Sequence, residues 1–407
     1  MKNTTIKKFL VAATALATFG AAGLSHAEKP IRIGAINILS GSASTYGEFA
    51  QKGFKLAVDE INASGGILGR QVEMLYEDSQ GKASVAIQVA RKLVYSENVD
   101  ALVGLDSSGV AQGMVPTMTQ LQKPLIITHA ATPDVTGKLC NAFTYRISVN
   151  VSQNMKAVAM VAAKTNAKNW TTIGPDYAFG HQSWEYFGNY LKEIKPDVNL
   201  MSETNFPRFG TEDFTPFINR VMNSDADGVL ISVWGGDLVN FIRQANTHGF
   251  FDKDMEVMFT VGAATEVLSA LGEDMPEGVH LSTRYWFDAY DNEENKHFVK
   301  AYVDRYGNAP SYNAEGAYAA IYAYKQAMEA AGTTDGPAVA KALSGMTMKA
   351  PNGTVTFRPG DHQAMVSPNW GVSGPMDPKL GIRTLTNLQI FDGEEVARPV
   401  PETGCSL

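Results

Sequence analysis

The sequence predicts an α/β protein built from two doubly wound, Rossmann-like lobes with parallel sheets. Three observations support this. Short apolar runs alternate with amphipathic helical stretches from Ile31 onward, and the alternation restarts after residue 150. The apolar runs, such as ALVGL at 101–105, are typical of parallel strands buried on both faces. The chain of 407 residues is also long enough for two domains of ordinary size.

The first half of the chain predicts alternating strands and helices. IRIGAINIL is the first strand, and YGEFAQKGFKLAVDEINAS is an amphipathic helix that ends at Gly65-Gly66. Pro116 falls inside the third helical stretch, so we expect a kink or a shifted helix boundary there. The further strands predicted in this half are QVEMLYED, ALVGL and PLIITH.

The second half repeats the pattern, and the stretches near 147–151 and 281–286 are predicted to run between the lobes as hinges. From Asn352 onward, short strands and turns rich in glycine and proline are expected. The predicted strands of this half are NWTTIGP, NLMSETNF, GVLISVW and EVMFTV. The predicted division is an N-terminal lobe of residues 28–148 plus 284–362 and a C-terminal lobe of residues 149–283 plus 363–407.

Residues 1–27 are predicted to be a secretory signal peptide that is cleaved after Ala27. Three lysines precede an apolar stretch from Phe9 to Leu24, which is followed by the small-x-small pattern Ser25-His26-Ala27. We therefore expect a periplasmic protein. The oxidising compartment would allow a disulfide between Cys140 and Cys405, and two unpaired thiols are the alternative.

Composition excludes several classes of partner. The net charge is −8 and basic runs are lacking, which argues against nucleic acid or an anionic membrane surface as a partner. The chain has neither a CxxC motif nor a Cys/His cluster, so no metal site is expected.

Two adjacent serines, Ser107 and Ser108, stand where a predicted strand is followed by a helix. A catalytic serine on such a fold would need a G-x-S-x-G elbow, which is missing here, so we expect no catalytic residue and no enzyme. A serine can instead cap the helix. It can also join the free N–H groups of a helix start in binding a ligand carboxylate.

The segment YGEFAQKGFKLAVDEINASGGILGRQVEMLYEDSQGKASVAIQVARKLV resembles the type I periplasmic solute-binding proteins of ABC transporters. The pattern A-x-x-x-I-N-x-x-G-G-I-x-G at Ala57–Gly69 is most similar to the branched-chain amino-acid (Leu/Ile/Val) binding group. The resemblance covers the whole mature chain. It implies lobes joined by three hinge strands, closure on a small solute, and delivery to an inner-membrane permease with a cytoplasmic ATPase. No cofactor is implied, and we expect a monomer.

The resemblance also implies ligand contacts in the first lobe. Ser107 matches a serine that binds the ligand carboxylate, and Ala130 and Thr132 match backbone and hydroxyl groups of the same site. Ser108 is a further candidate contact, or only a helix cap. Tyr46 matches a ring that covers the ligand, with a hydrophobic staple as the alternative.

In the second lobe, Phe179 takes the place of a family tyrosine before glycine. Trp234 and Asp237 flank a double glycine, and Asp237 would either attract an ammonium group or cap the next helix. The acidic residue that holds the α-ammonium in the family is matched here by Val261 or Gly262. The family residues that recognise a ligand carboxylate therefore have matches in this sequence, whereas the acidic residue that recognises the α-ammonium has no acidic match.

Three functions follow from these patterns: an amino-acid binder of branched-chain or related type, a binder of aromatic or other organic acids or small amides, and a ligand-sensing module for a receptor. Two arginines, Arg146 and Arg284, lie beside the hinges. Either could hold an acidic ligand, but pairing with acids between the lobes is favoured.

Overall fold

The computed structural model describes Met1 and residues 29–407. Apart from Met1, the predicted signal peptide and its cleavage site lie outside the described residues. The strands are β1 (Ile31–Asn37), β2 (Val72–Asp78), β3 (Ala101–Gly104), β4 (Leu125–Ile127), β5 (Thr144–Arg146), β6 (Asn169–Ile173), β7 (Asn199–Leu200), β8 (Gly228–Ile231), β9 (Glu256–Phe259), β10 (His280–Thr283), β11 (Thr347–Ala350), β12 (Gly353–Thr356), β13 (Asn369–Asp377) and β14 (Ile382–Ile390).

The α-helices lie between these strands and at the end of the chain. They are α1 (Ser44–Ala63), α2 (Ala83–Tyr95), α3 (Ser108–Met114), α4 (Met118–Leu121), α5 (Val151–Ala162), α6 (Ala178–Ile194), α7 (Thr215–Met222), α8 (Gly235–Thr247), α9 (Thr265–Leu271), α10 (Glu293–Tyr306), α11 (Tyr312–Ala331), α12 (Gly336–Leu343), α13 (Gly393–Val396) and α14 (Val400–Thr403).

The first lobe is built on a five-stranded parallel sheet in the order β2-β1-β3-β4-β5. The central strands β3 and β4 are fully buried, as their apolar runs predict. The strand order reverses direction at β1 and β3, and in such sheets ligands bind beyond the carboxyl ends of the strands at this point.

The second lobe is built on a seven-stranded sheet in the order β14-β13-β10-β9-β8-β6-β7. Strands β6 to β10 run parallel, whereas β13 and β14 are antiparallel additions at one edge. The predicted two-lobed α/β fold is therefore confirmed, with a mixed sheet in the second lobe.

Three segments connect the lobes. The chain leaves the first lobe after β5, returns after β10, and crosses again near Gln363, which bridges to Arg146 in parallel. The lobe boundaries given above stay a prediction. The disulfide between Cys140 and Cys405, whose Cα atoms are 5.6 Å apart, ties the end of the chain back to the loop before β5.

Local sequence signals explain two departures from regular structure. Pro116 lies in a 3₁₀ turn between α3 and α4, so the helix boundary is shifted as predicted. The predicted strand NLMSETNF shrinks to the two residues of β7, and the residues after it form a long loop. Within residues 29–407, no helix has the length and apolar character needed to cross a membrane.

Candidate functional site

The carboxyl ends of the parallel strands of both sheets face a common cleft. The cavity enclosed there measures about 10 Å³, which is the room that one water molecule needs. A molecule the size of an amino acid or a benzoate therefore fits only if the lobes or rings move apart. The residues that line the cavity are Asp106, Ser108, His129, Tyr177, Phe179, Trp234, Val261 and Arg284.

The two serines after β3 have different surroundings. Ser107 is the N-cap of α3 by its extended backbone, but its hydroxyl makes no capping hydrogen bond. That hydroxyl is instead within hydrogen-bonding reach of the Tyr177 phenol, which belongs to the second lobe. The Ser108 hydroxyl accepts a 3.1 Å hydrogen bond from the backbone N–H of Thr132. Ser108 therefore ties the loops after β3 and β4 together.

The polar floor of the cavity is formed by Asp106 and His129. The Asp106 carboxylate accepts hydrogen bonds from the Asn37 side-chain amide at 3.0 Å and the backbone N–H of Ile38 at 2.5 Å. Its nearer oxygen lies 3.7 Å from His129 Nδ1. Burial lowers the pKa of His129 to about 4, so the imidazole is neutral at pH 7.

Aromatic rings form the walls. The Tyr46 ring lies 5.1 Å from the imidazole of His129 and 5.2 Å from the indole of Trp234, measured between centroids. The Trp234 indole N–H donates a 2.8 Å hydrogen bond to the Tyr177 phenol oxygen. Tyr312 packs edge-on against both Tyr46 and His129. These rings contact one another at the distances that favour edge-to-face and offset-stacked pairs.

Arg284 brings a buried positive charge to the same cavity. Its Nη1 donates hydrogen bonds to the His129 carbonyl oxygen and, at 3.3 Å, to the Ser148 hydroxyl. Its guanidinium lies 5.2 Å from the centre of the Tyr312 ring, and its Nε–H has no hydrogen-bond partner. Burial lowers the pKa of Arg284, yet a guanidinium stays charged at neutral pH.

The prediction that Arg146 and Arg284 pair with acids is wrong. Across residues 29–407, no carboxylate oxygen lies within 4.0 Å of either guanidinium. Arg146 donates instead to the Thr132 carbonyl and to Gln363 Oε1. The reason is local. Both guanidinium groups lie beside the loop that follows β4, and backbone carbonyl oxygens of that loop accept their hydrogen bonds.

Two predicted contacts of the first lobe serve the backbone. The Thr132 hydroxyl accepts a 3.3 Å hydrogen bond from the N–H of Asp134, so it caps the following 3₁₀ turn. The Ala130 N–H donates to the Leu105 carbonyl at 2.8 Å. Both residues are fully buried. They support the loop that carries His129 and do not line the cavity themselves.

Of the remaining predicted residues, some line the cavity and others only lie near it. Phe179 and Trp234 line the cavity, and Tyr46 packs against Trp234. Asp237 is buried beside the cavity but is not part of its lining, because its carboxylate accepts a 2.7 Å hydrogen bond from the backbone N–H of Gly210. Val261 lies in the wall, at one of the two positions that match the family's acidic residue.

Sequence reasoning missed Tyr177, His129, Phe209 and Tyr312, and it misjudged Arg284. Tyr177 stands two residues before Phe179 in the same loop, and His129 directly precedes Ala130, so the neighbouring motifs could have included them. No sequence signal connects Phe209 or Tyr312 to the cleft, because both come from segments far away along the chain.

The lining of the cavity contains charged, polar and aromatic side chains. Within the described part of the chain, no group of three His, Cys, Asp or Glu side chains could hold a metal ion. The cavity lining combines the buried guanidinium of Arg284 and the buried carboxylate of Asp106 with hydroxyl groups and aromatic rings.

Comparison with known proteins gives a consistent result. The family model described as periplasmic binding protein matches residues 30–370. The chain is 27% identical over 358 residues to Leu/Ile/Val-binding protein homolog 6 of Brucella melitensis, which covers 86% of this chain and 89% of the relative.

Solved structures agree with the observed fold. An amino acid ABC transporter substrate-binding protein from Pseudomonas fluorescens Pf-5 superposes with a TM-score of 0.82 at 25% identity, covering 94% of this chain and 100% of that one. A solute-binding protein of an ABC transporter from Rhodopseudomonas palustris, solved with 4-hydroxybenzoate, gives 0.80 at 22% identity, covering 90% and 98%.

Proposed function

The chain belongs to the periplasmic binding protein family, the solute-binding components of ABC transporters, and we propose that its solute is a small aromatic monocarboxylate. The ligand would be held between the two lobes and handed to a membrane permease. Closure about the three connecting segments would bury it, so that the energy of binding shifts the equilibrium from open to closed lobes.

The observation that carries this proposal is the unpaired guanidinium of Arg284. A buried cation is costly unless a counter-charge or a full set of hydrogen bonds compensates for its loss of water. Here the Nε–H is unused, and no carboxylate oxygen of residues 29–407 lies within 4.0 Å, although Asp106 lines the same cavity and is bound by Asn37 and Ile38. A ligand carboxylate between Arg284 and the Ser107 and Ser108 hydroxyls would supply the missing charge and acceptor.

The aromatic part of the proposal rests on the walls. His129 and Trp234 line the cavity and pack against each other and against Tyr46, with centroids 5.1–5.4 Å apart. When a planar aromatic ligand enters between these rings, their contacts with one another are replaced by similar contacts with the ligand ring. Val261 offers only an apolar surface where an α-ammonium group would need an acid.

Isothermal titration calorimetry with benzoate, 4-hydroxybenzoate, benzamide and leucine would test the proposal. We expect the two carboxylates to bind, and benzamide, which has the same shape without the charge, to bind about 100-fold more weakly or worse. Arg284→Met should weaken benzoate by a similar factor, because the buried carboxylate then lacks its counter-charge. The matched control is Arg91→Met, at an exposed arginine of α2.

A second candidate is an amino acid, and the name of the Brucella relative favours it. Leucine would then bind more tightly than benzoate. Equal benzoate affinity of the wild-type protein and Arg284→Met would also reject the aromatic-acid proposal, since Arg284 could not be the counter-charge.

A further inference from the structure

The loop of residues 206–211, which we call the Phe209 loop, covers the second-lobe side of the cleft. The Phe209 ring stacks on Trp234 with centroids 5.1 Å apart and planes inclined by 24°. It also packs edge-on against Tyr177 at 6.2 Å. Phe209 is nevertheless 38% exposed, so one of its faces contacts the wall of the cavity and the other faces solvent.

The two ends of this loop are held separately. The Pro207 carbonyl accepts a 2.8 Å hydrogen bond from the backbone N–H of Asp176, and the end beside Phe209 is held by Asp237. Gly210 follows Phe209 and has φ +83, a left-handed conformation that favours glycine. Its backbone N–H donates a 2.7 Å hydrogen bond to Asp237 Oδ2 at the start of α8. Asp237 is only 5% exposed, and no Lys, Arg or His nitrogen of residues 29–407 lies within 4.0 Å of its carboxylate. The groups that donate to the Asp237 carboxylate are therefore uncharged.

The same carboxylate also faces the first lobe. Burial raises the pKa of Asp237, and the nearby Ser42 hydroxyl, in the loop between β1 and α1, opposes this rise. The neighbouring Gly236 N–H donates to the Ser42 carbonyl at 2.9 Å. A Cβ atom at Gly236 would come within 2.4 Å of that carbonyl oxygen, so the two lobes meet here at backbone contact.

We infer that Asp237 is a positioning residue which, by binding Gly210 of the Phe209 loop next to the backbone contact between Gly236 and Ser42, couples lobe closure to the seating of Phe209 against Trp234. Lobe closure then completes the aromatic wall, because Gly236, which meets Ser42 of the first lobe, directly precedes Asp237, which holds Gly210. Asp237 acts on the ligand through Phe209 and does not touch it. This inference rests on the proposed function only for the identity of the ligand.

The seating of Phe209 can be measured without any ligand. Acrylamide quenching of Trp234 is obtained as the difference between each protein and its Trp234→Phe counterpart. We expect Asp237→Ala to raise the quenching constant of Trp234 at least twofold, since Phe209 no longer covers the indole. Asp237→Asn, which keeps an acceptor oxygen for the Gly210 N–H, should stay close to wild type.

The matched control is Asn240→Ala, one turn further along α8. The Asn240 amide donates to the Glu212 carbonyl at 2.7 Å, so this variant loosens the same connecting segment without touching Gly210. In the ligand arm, stopped-flow measurement with benzoate should show at least tenfold faster dissociation from Asp237→Ala and a smaller change in the association rate constant.

The two proposals fail in different ways. Quenching of Trp234 that is equal in Asp237→Ala and wild type would overturn the positioning role, whatever binds in the cleft. Weaker ligand binding without a change in quenching would also overturn it and would make Asp237 a direct ligand contact. Lack of benzoate binding to the wild-type protein would reject the proposed ligand, while the quenching arm would still decide the role of Asp237.

Discussion

The hydroxyl oxygen of Ser108 accepts a hydrogen bond from the backbone N–H of Thr132, at 3.1 Å, and thereby joins the two loops that end β3 and β4. The adjacent Ser107 hydroxyl makes no such bond with the backbone and faces Tyr177. We therefore propose separate roles for the two neighbouring serines: Ser108 holds the two loops together, and Ser107 contacts the ligand.

Single alanine variants should separate these roles. Ser107→Ala should weaken carboxylate binding by about 1.5–3 kcal/mol, the range for a hydrogen bond to a charged group, with little change in stability. Ser108→Ala should lower the free energy of unfolding by about 1–3 kcal/mol, because the buried Thr132 N–H loses its acceptor. Calorimetry and urea denaturation measure the two effects, and equal affinity of Ser107→Ala and wild type would remove Ser107 from the site.

Gly236→Ala should hinder lobe closure. The added methyl group would lie 2.4 Å from the Ser42 carbonyl oxygen, so the lobes must stay further apart. We expect a larger radius of gyration by small-angle X-ray scattering with ligand present, and ligand affinity at least about tenfold lower. Gly109→Ala is the control, since a Cβ there meets nothing closer than 3.7 Å. An unchanged radius of gyration in Gly236→Ala would contradict the prediction.

Loss of the disulfide should destabilise the whole protein. Cys140 and Cys405 are 265 residues apart in sequence, so the bridge closes a very long loop in the unfolded chain. Replacing both by serine should lower the free energy of unfolding by about 2–5 kcal/mol. Thermal unfolding with and without reductant measures this, and reductant should have no effect on the double variant. An identical melting temperature of the two oxidised proteins would refute the expectation.

Glu315 on α11 should make stability depend on pH. Burial raises the pKa of this carboxyl to about 8, and one of its oxygens has no hydrogen-bond partner. A raised folded-state pKa favours folding at low pH, and this contribution is lost as the pH rises from about 4.5 through about 8.

Glu315→Gln removes this titration while keeping the shape of the side chain. The decline in unfolding free energy between pH 5 and 9 should therefore shrink, by about 3–5 kcal/mol at most. Chemical denaturation at a series of pH values measures it. Glu329→Gln, at an exposed position of the same helix, should follow the wild-type curve. Parallel curves for Glu315→Gln and wild type would show that Glu315 is ionised throughout.

Local patterns in the sequence predicted several of the residues that line the cavity. Ser108, Phe179 and Trp234 belong to the segments that follow buried strands, and parallel strands bring their carboxyl ends to one edge. The same reasoning predicted Thr132 and Ala130 as ligand contacts in the loop after β4. It could not tell which atoms of that loop face the cavity, because this depends on the hydrogen bonds of the backbone.

Arg284 shows the limit most clearly. A sequence gives an arginine near a hinge, and pairing with an acid is the usual expectation for a buried charge. Only the folded chain reveals that the His129 carbonyl oxygen accepts a hydrogen bond from the Arg284 guanidinium and that, in residues 29–407, no carboxylate oxygen lies within 4.0 Å of it. Asp237 is similar, since its hydrogen-bond partner Gly210 and the neighbouring Ser42 come from distant segments in different lobes.

The amino-acid sequence by itself determined the two alternating α/β halves and the hinge regions, and it predicted several loops that line the cleft. These follow from periodic burial of apolar side chains and from turn residues, which act over a few neighbours in the chain. The tertiary structure alone decided which side chains meet in the cleft and which charge stays unpaired. Such contacts join residues far apart in sequence, and their energies depend on burial and distance, which exist only after the lobes have folded and closed.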